Sequence, residues 1–142
     1  MSVGPPRPVP RGIDEVLAEA RAGLDRVDAR QAAAMQAAGA LLVDIRPGRY
    51  RAAYGEIPGA VVVDRNVLEW RLDPTSAARL DGIDTDVYQR DVIVICNEGY
   101  ASSLAAADLQ RLGFRRVTDL DGGFAAWLEA GLPVRRGGPG PT

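Results

Sequence analysis

The chain has 142 residues, enough for one domain with a substantial core, and its 46% hydrophobic and 25% charged residues are ordinary for a soluble globular protein. No apolar run approaches the roughly 20 residues that cross a bilayer, and the 17 basic residues, set against 19 acidic ones, form no basic stretch; neither a membrane nor a nucleic acid is an expected partner. All 17 basic residues are arginine, a bias that fits a GC-rich bacterial genome; without histidine or lysine there is no Ser-His-Asp or Cys-His catalysis and no Schiff base, and a single cysteine builds neither a zinc site nor an intramolecular disulfide.

Residues 1–12, MSVGPPRPVPRG, are rich in proline and lack the apolar stretch of an export signal, which predicts a flexible tail and a cytoplasmic location. Residues 13–23 place Ile13, Val16, Leu17 and Ala20 at helical spacing before Gly23, an extra helix covering the main domain. Residues 24–27 form a short strand candidate. Asp28 then caps the alanine-rich helix ARQAAAMQAA, which Gly39 ends in the left-handed conformation. The run ALLVDI, residues 40–45, closed by Pro47 and Gly48, reads as a parallel strand covered on both faces. AVVV, residues 60–63, follows the turn Pro58-Gly59 and reads as a second buried strand, and VIVIC, residues 92–96, as a third.

After Cys96 come Asn97, Glu98, Gly99 and Tyr100. The helix ASSLAAADLQRL follows, with Leu104, Ala105, Leu109 and Leu112 on one side and Gly113 at its end. A last strand centres on Val117 within residues 114–120, and a final helix runs from about Phe124 to a stop at Gly131 and Pro133. Residues 135–142 are expected to be disordered. Strands alternating with helices predict an α/β layered domain over residues 13–134, with a mainly parallel central sheet of about five strands and right-handed crossovers. Ligands of such sheets sit beyond the carboxyl ends of the strands, which is where Cys96 lies.

A lone cysteine at the end of an apolar strand is by itself ordinary packing. The following residues change that reading, because Gly99 permits a tight loop and the helix from about Ala101 points free amides and its positive dipole end toward the sulfur. Such surroundings favour a thiolate and stabilise the anionic outer sulfur of a persulfide, with no general base required.

The sequence CNEGYAS after a buried strand resembles the active-site loop of rhodaneses, a family built on a small parallel α/β sheet in three layers. VDIRPGRYRAAYGEIPGA resembles the family's early motif, and LGFRRVTDLDGGFAAWLEAGLPV its C-terminal signature; together they match in order from about Leu24 to Val134. The resemblance implies a sulfurtransferase in which Cys96 attacks a sulfur donor and carries sulfur as a persulfide. Asn97, Glu98, Gly99, Tyr100 and Ala101 would supply an amide cradle, and Ser102 and Ser103 the helix start and a hydroxyl donor. It implies a small sulfur donor or a protein persulfide, a thiol acceptor, and no metal or organic cofactor. Asp44 and Arg46, at the end of their own strand, either brace the loop or touch substrate. Gly122, Gly123, Phe124 and Trp127 serve helix formation and core packing. Arg71 either reaches the mouth of the site or is a surface residue beside Trp70.

Three departures from the family pattern bear on function. Glu56 stands where many members carry histidine, so this position is not catalytic. Ala101 removes a side-chain donor from the loop. Glu98, in a loop without a basic residue, predicts poorer use of anionic thiosulfate than of an uncharged or persulfide donor. The alternative is a non-catalytic binding or redox-sensing module on the same fold. A cysteine phosphatase would need arginine six positions after the nucleophile, and that position is Ser102.

Overall fold

The computed structural model describes residues 4–7 and 9–136. Six helices surround a four-stranded parallel sheet: α1 (Ile13–Ala22), α2 (Ala29–Ala37), β1 (Leu41–Asp44), α3 (Gly48–Tyr54), β2 (Val61–Val62), α4 (Leu68–Leu72), β3 (Val92–Ile95), α5 (Ala101–Arg111), β4 (Val117–Asp119) and α6 (Gly123–Glu129). The order across the sheet is β2-β1-β3-β4. Val27 adds a single parallel bridge to Leu120 outside β4. The fifth strand expected over residues 24–27 is therefore one bridging residue, since α1 ends at Ala22 and α2 is already capped at Asp28.

Alternation along the strands sorts the core into two layers. Leu41, Val43, Ile45, Val92, Val94 and Cys96 face α4 and α5, whose Leu68, Leu72, Ala105, Ala106 and Leu109 are buried against them. Leu42, Ile93 and Ile95 face the other way, onto α2 and α6 with Ala29, Ala32, Phe124 and Trp127. Each fully buried Leu, Ile or Phe of these layers contributes about 1.5–3 kcal/mol. α1 packs on α5, and Gln110 Nε2 donates to Gly23 O at 2.7 Å.

The punctuation of the sequence acts as expected at several points. Asp28 and Gln31 form a reciprocal capping box on α2. Gly39 (φ 108) and Gly113 (φ 107) take positive φ after α2 and α5. Other expectations need correction. The AVVV run is an edge strand of two residues with Val62 41% exposed, because β2 pairs with β1 alone. Leu112 is 39% exposed and does not belong to the buried face of α5, which begins instead with Ser102 and Ser103. α3, α4 and the 3₁₀ turns at Arg65–Val67 and Thr85–Tyr88 carry no long apolar period and were not anticipated.

Residues 4–7 and 9–12 have no regular structure and are exposed. At the other end, Arg135 forms an antiparallel bridge with Glu56, so backbone pairing continues past residue 134; the rest of the expected tail, residues 137–142, lies outside the described residues. No described helix is long and apolar enough to cross a membrane.

Candidate active site

Cys96 is the first residue beyond β3, on the sheet face covered by α5, and is 8% exposed. Residues 97–100 turn the chain from the end of β3 into α5. Gly99 makes this turn possible: its φ is +89°, and a Cβ there would stand 2.8 Å from Gly122 N and 3.2 Å from Leu120 O. In this conformation the Gly99 N–H donates to Cys96 Sγ at 3.1 Å, and the Ser102 N–H, in the first turn of α5, does so at 3.4 Å. Among the described residues, the amides of Asn97, Glu98, Tyr100 and Ala101 make no hydrogen bond to this sulfur. Glu98, Tyr100 and Ala101 are exposed at the rim of the loop, and Asn97 is half-buried.

The loop is clamped from behind. α6 donates Phe124 N–H to Cys96 O at 2.9 Å and Ala125 N–H to Asn97 O at 3.0 Å. That approach depends on Gly123, where a Cβ would meet Cys96 O at 2.5 Å. The Gly122-Gly123 pair therefore starts α6 and also seats the cysteine loop.

A side-chain network lies beneath the sulfur. The Ser102 hydroxyl is 3.2 Å from Sγ and 2.8 Å from Asp119 Oδ2, and the Ser103 hydroxyl is 2.7 Å from the same oxygen. Asp119, fully buried at the end of β4, also accepts from Arg26 Nε at 2.9 Å and Arg26 Nη2 at 3.2 Å. Arg26 and Arg21 both donate to the Gly99 carbonyl, at 2.9 and 2.7 Å, and Arg21 Nε reaches Ser103 Oγ at 3.0 Å. Burial works to lower the Arg26 pKa, but the hydrogen bond and charge of Asp119, with the charges of Asp121 and Cys96, raise it above the ordinary arginine value.

The structure brings Cys96, Gly99, Ser102 and Ser103 together, with both serine hydroxyls donating to Asp119 and neither to the sulfur, in contrast to the hydroxyl donor expected there, and it adds Arg21, Arg26 and Asp119, which sequence reasoning missed. The loop itself carries no basic side chain, yet two guanidinium groups from outside it hold its backbone. Asp119 carried a readable signal, since it ends a buried strand beside the strand that ends at Cys96. Arg21 and Arg26 carried none, because their partners lie 73 to 93 residues away.

Asp44 and Arg46 brace the turn around α3, not the cysteine loop. Arg46 Nη2 donates to Asp44 Oδ2 and to Gly55 O, both at 2.8 Å, and its guanidinium lies 3.8 Å from the centre of the Phe124 ring. Their hydrogen bonds go to each other and to the turn around α3, none to the cysteine loop. Glu56 pairs with Arg51 at 3.2 Å. Arg71 donates to Ala78 O and lines a cavity of about 590 Å³ with Leu41 and Val61, at the amino ends of β1 and β2, the opposite end of the sheet from Cys96.

With this geometry in place, comparison with known proteins is decisive: the family model described as "Rhodanese-like domain" matches residues 28–130. The chain belongs to the rhodanese-like family. A curated relative, the thiosulfate sulfurtransferase GlpE of Stutzerimonas stutzeri, is 40% identical over 72% of this chain and 83% of its own length. A solved structure from Rhodopseudomonas palustris, described as a protein of unknown function and "Possible Tyrosine Phosphatase", is 32% identical with a TM-score of 0.78, covering 93% of this chain and all of that one. The polysulfide-sulfur transferase homodimer of Wolinella succinogenes shares the rhodanese-like fold at 23% identity and a TM-score of 0.70, over 89% of this chain and 88% of its own.

Proposed function

We propose that this rhodanese-like chain is a sulfurtransferase that carries sulfane sulfur on Cys96. The observation that supports it most directly is the environment of Sγ: the Gly99 and Ser102 backbone N–H groups converge on one sulfur at the carboxyl end of the sheet, in a chain 40% identical to a thiosulfate sulfurtransferase. Converging fixed donors are what an anionic sulfur requires.

In the first half-reaction the Cys96 thiolate attacks the outer sulfur of the donor; a Cys96 S–S bond forms, and the donor's bond to that sulfur breaks with its electron pair leaving on the donor remnant. In the second, a thiolate acceptor in the cytoplasm, or cyanide in an assay, attacks the outer sulfur and Cys96 leaves as thiolate. Gly99 and Ser102 donate to the sulfur while it bears charge. Asn97, Glu98, Tyr100 and Ala101 complete the rim that the donor meets. The donor is a small sulfane compound or a protein persulfide.

The description attached to the R. palustris structure raises phosphate chemistry, but the position that would hold the phosphate-clamping arginine is Ser102, buried and bonded to Sγ.

Intact-protein mass spectrometry after exposure to thiosulfate, mercaptopyruvate and a persulfide donor in turn tests the proposal. A mass gain of one sulfur atom, lost on adding cyanide and absent in Cys96→Ser, is expected. Failure of every donor to load Cys96 in folded protein would leave the binding-module reading in its place.

A further inference from the structure

Hydrogen counting around Ser102 gives a role to residues that the sulfurtransferase reading does not use. A hydroxyl has one proton, and a carboxylate only accepts. At 2.8 Å from Asp119 Oδ2, the Ser102 proton points at the carboxylate, which leaves an oxygen lone pair facing Sγ at 3.2 Å. That arrangement suits a thiol, whose S–H donates to Ser102. It does not suit an anionic sulfur, which would face a lone pair.

Asp119 does not depend on Ser102 alone. Its Oδ2 also accepts from the Ser103 hydroxyl and from Arg26 Nη2, and its Oδ1 from Arg26 Nε. Ser103 is steadied in turn by Arg21 Nε. The Ser102 proton can therefore leave Asp119 without stranding a buried carboxylate.

We propose that Asp119, paired with Arg26 and Ser103, is a positioning residue that directs the Ser102 hydroxyl, which points to Asp119 while Cys96 is a thiol and turns to the sulfur when Cys96 is a thiolate or persulfide. The thiol proton leaves to water, and no covalent bond to Ser102 or Asp119 is made. Asp119 and the sulfur thus compete for one proton, and the carboxylate's other donors set the balance. This rests on Cys96 being the sulfur carrier. The charged and titratable groups around the sulfur are Asp119 at the end of β4, Asp121 beyond it, Arg26, Arg21 of α1, and Glu98 and Tyr100 of the loop, with Arg46 and Asp44 behind Phe124 of α6.

The test is the pH profile of Cys96 alkylation by iodoacetamide, a neutral probe that needs no sulfur donor, so failure of this proposal and failure of sulfur transfer are read separately. Asp119→Asn weakens the competitor and should move the midpoint to lower pH by about 0.5–1 unit, the equivalent of one hydrogen bond. The same substitution in a Ser102→Ala background should move it by less than half as much, because the hydroxyl through which Asp119 acts is gone. A shift half as large or larger in that background means that Asp119 acts as a bare charge, and overturns the proposal; so does no shift with Ser102 present. If circular dichroism finds Asp119→Asn unfolded, Ser103→Ala decides. It takes one donor from Asp119, tightens its hold on the Ser102 proton and should raise the midpoint, and an unchanged or lowered midpoint overturns the proposal.

Discussion

Two aspartate–arginine pairs with buried carboxylates flank β3, one at the end of β1 and one at the end of β4, and they are used differently. Arg46 lies two residues from Asp44, both side chains are sealed (0% and 1% exposed), and Arg46 Nη2 also closes a turn at Gly55. Arg26 lies 93 residues from Asp119, its side chain is 16% exposed, and it also grips the Gly99 carbonyl while Asp119 receives two serine hydroxyls. The ion pairs are chemically alike. What separates a brace from a site component is where the further hydrogen bonds go: into the fold's own turn in the first case, around the Cys96 loop in the second.

Breaking each pair should separate stability from reactivity. Arg46→Ala leaves a sealed carboxylate unpaired and should cost about 3–5 kcal/mol of stability, read as a drop in the denaturant midpoint. The protein that remains folded should keep the alkylation pH midpoint of the unsubstituted chain. A midpoint moved by Arg46→Ala would place that pair in the site after all.

Gly99 is where the network of the second pair meets the sulfur, so Gly99→Val probes the same contrast from the other side. A β-branched residue at φ +89°, with its Cβ 2.8 Å from Gly122 N, turns the Gly99 amide away from Sγ. Loss of one such donor from a charge-stabilising loop typically costs about 10²–10³ in rate. Steady-state sulfur transfer should fall by that much in protein that circular dichroism finds folded, and full activity in such a variant would remove the amide from the mechanism.

Arg26→Ala should be milder in stability than Arg46→Ala, about 1.5–3 kcal/mol, the usual range for hydrogen bonds to charged groups, because Ser102 and Ser103 still serve Asp119 and the site is partly open. Sulfur transfer should fall alongside. A folded-state pKa raised above the unfolded value means that the contribution of Arg26 is fully present below the unfolded pKa and is lost as pH rises through the folded one. The stability difference from the unsubstituted chain, measured by urea unfolding, should therefore show no Arg26 titration from mildly acid to mildly alkaline pH.

The contrast between the pairs also explains what the sequence could convey. β1 and β3 are legible because burial on both faces demands unbroken apolar runs, and Asp28, Gly39 and Gly113 mark helix ends by local hydrogen bonding and positive φ. β2 misleads, since three valines look buried whether or not a strand pairs on both sides. α3 and α4, of 7 and 5 residues, are too short to show a period. Within the site, Cys96, Gly99 and Ser102 are close in sequence and readable as one loop. Asp44 and Arg46 are visible as a pair for the same reason, but their purpose is not, because it depends on Gly55 and Phe124. Arg21 and Arg26 escape altogether, since only the packing of α1 on α5 and the bridge at Val27 bring them to Gly99.

The smallest expected effect comes from an exposed charge, and it sharpens the comparison by showing what a charge does without burial. Glu98 sits on the solvent side of the loop, while Arg21 and Arg26 hold the loop from beneath. On the proposed reading the exposed Glu98 repels a thiosulfate dianion from the loop, and Glu98→Lys should help its binding. Exposed charge interactions are worth no more than about 1 kcal/mol, a factor of about five, and fade once the Debye length falls to about 3 Å near 1 M salt. KM for thiosulfate should therefore drop by up to about fivefold at low ionic strength, with kcat nearly unchanged and the gain gone in high salt, whereas an uncharged donor should respond little at any salt. A gain that persists at 1 M salt, or one that falls on kcat, would mean that residue 98 acts on the loop's geometry and not on the field at its mouth.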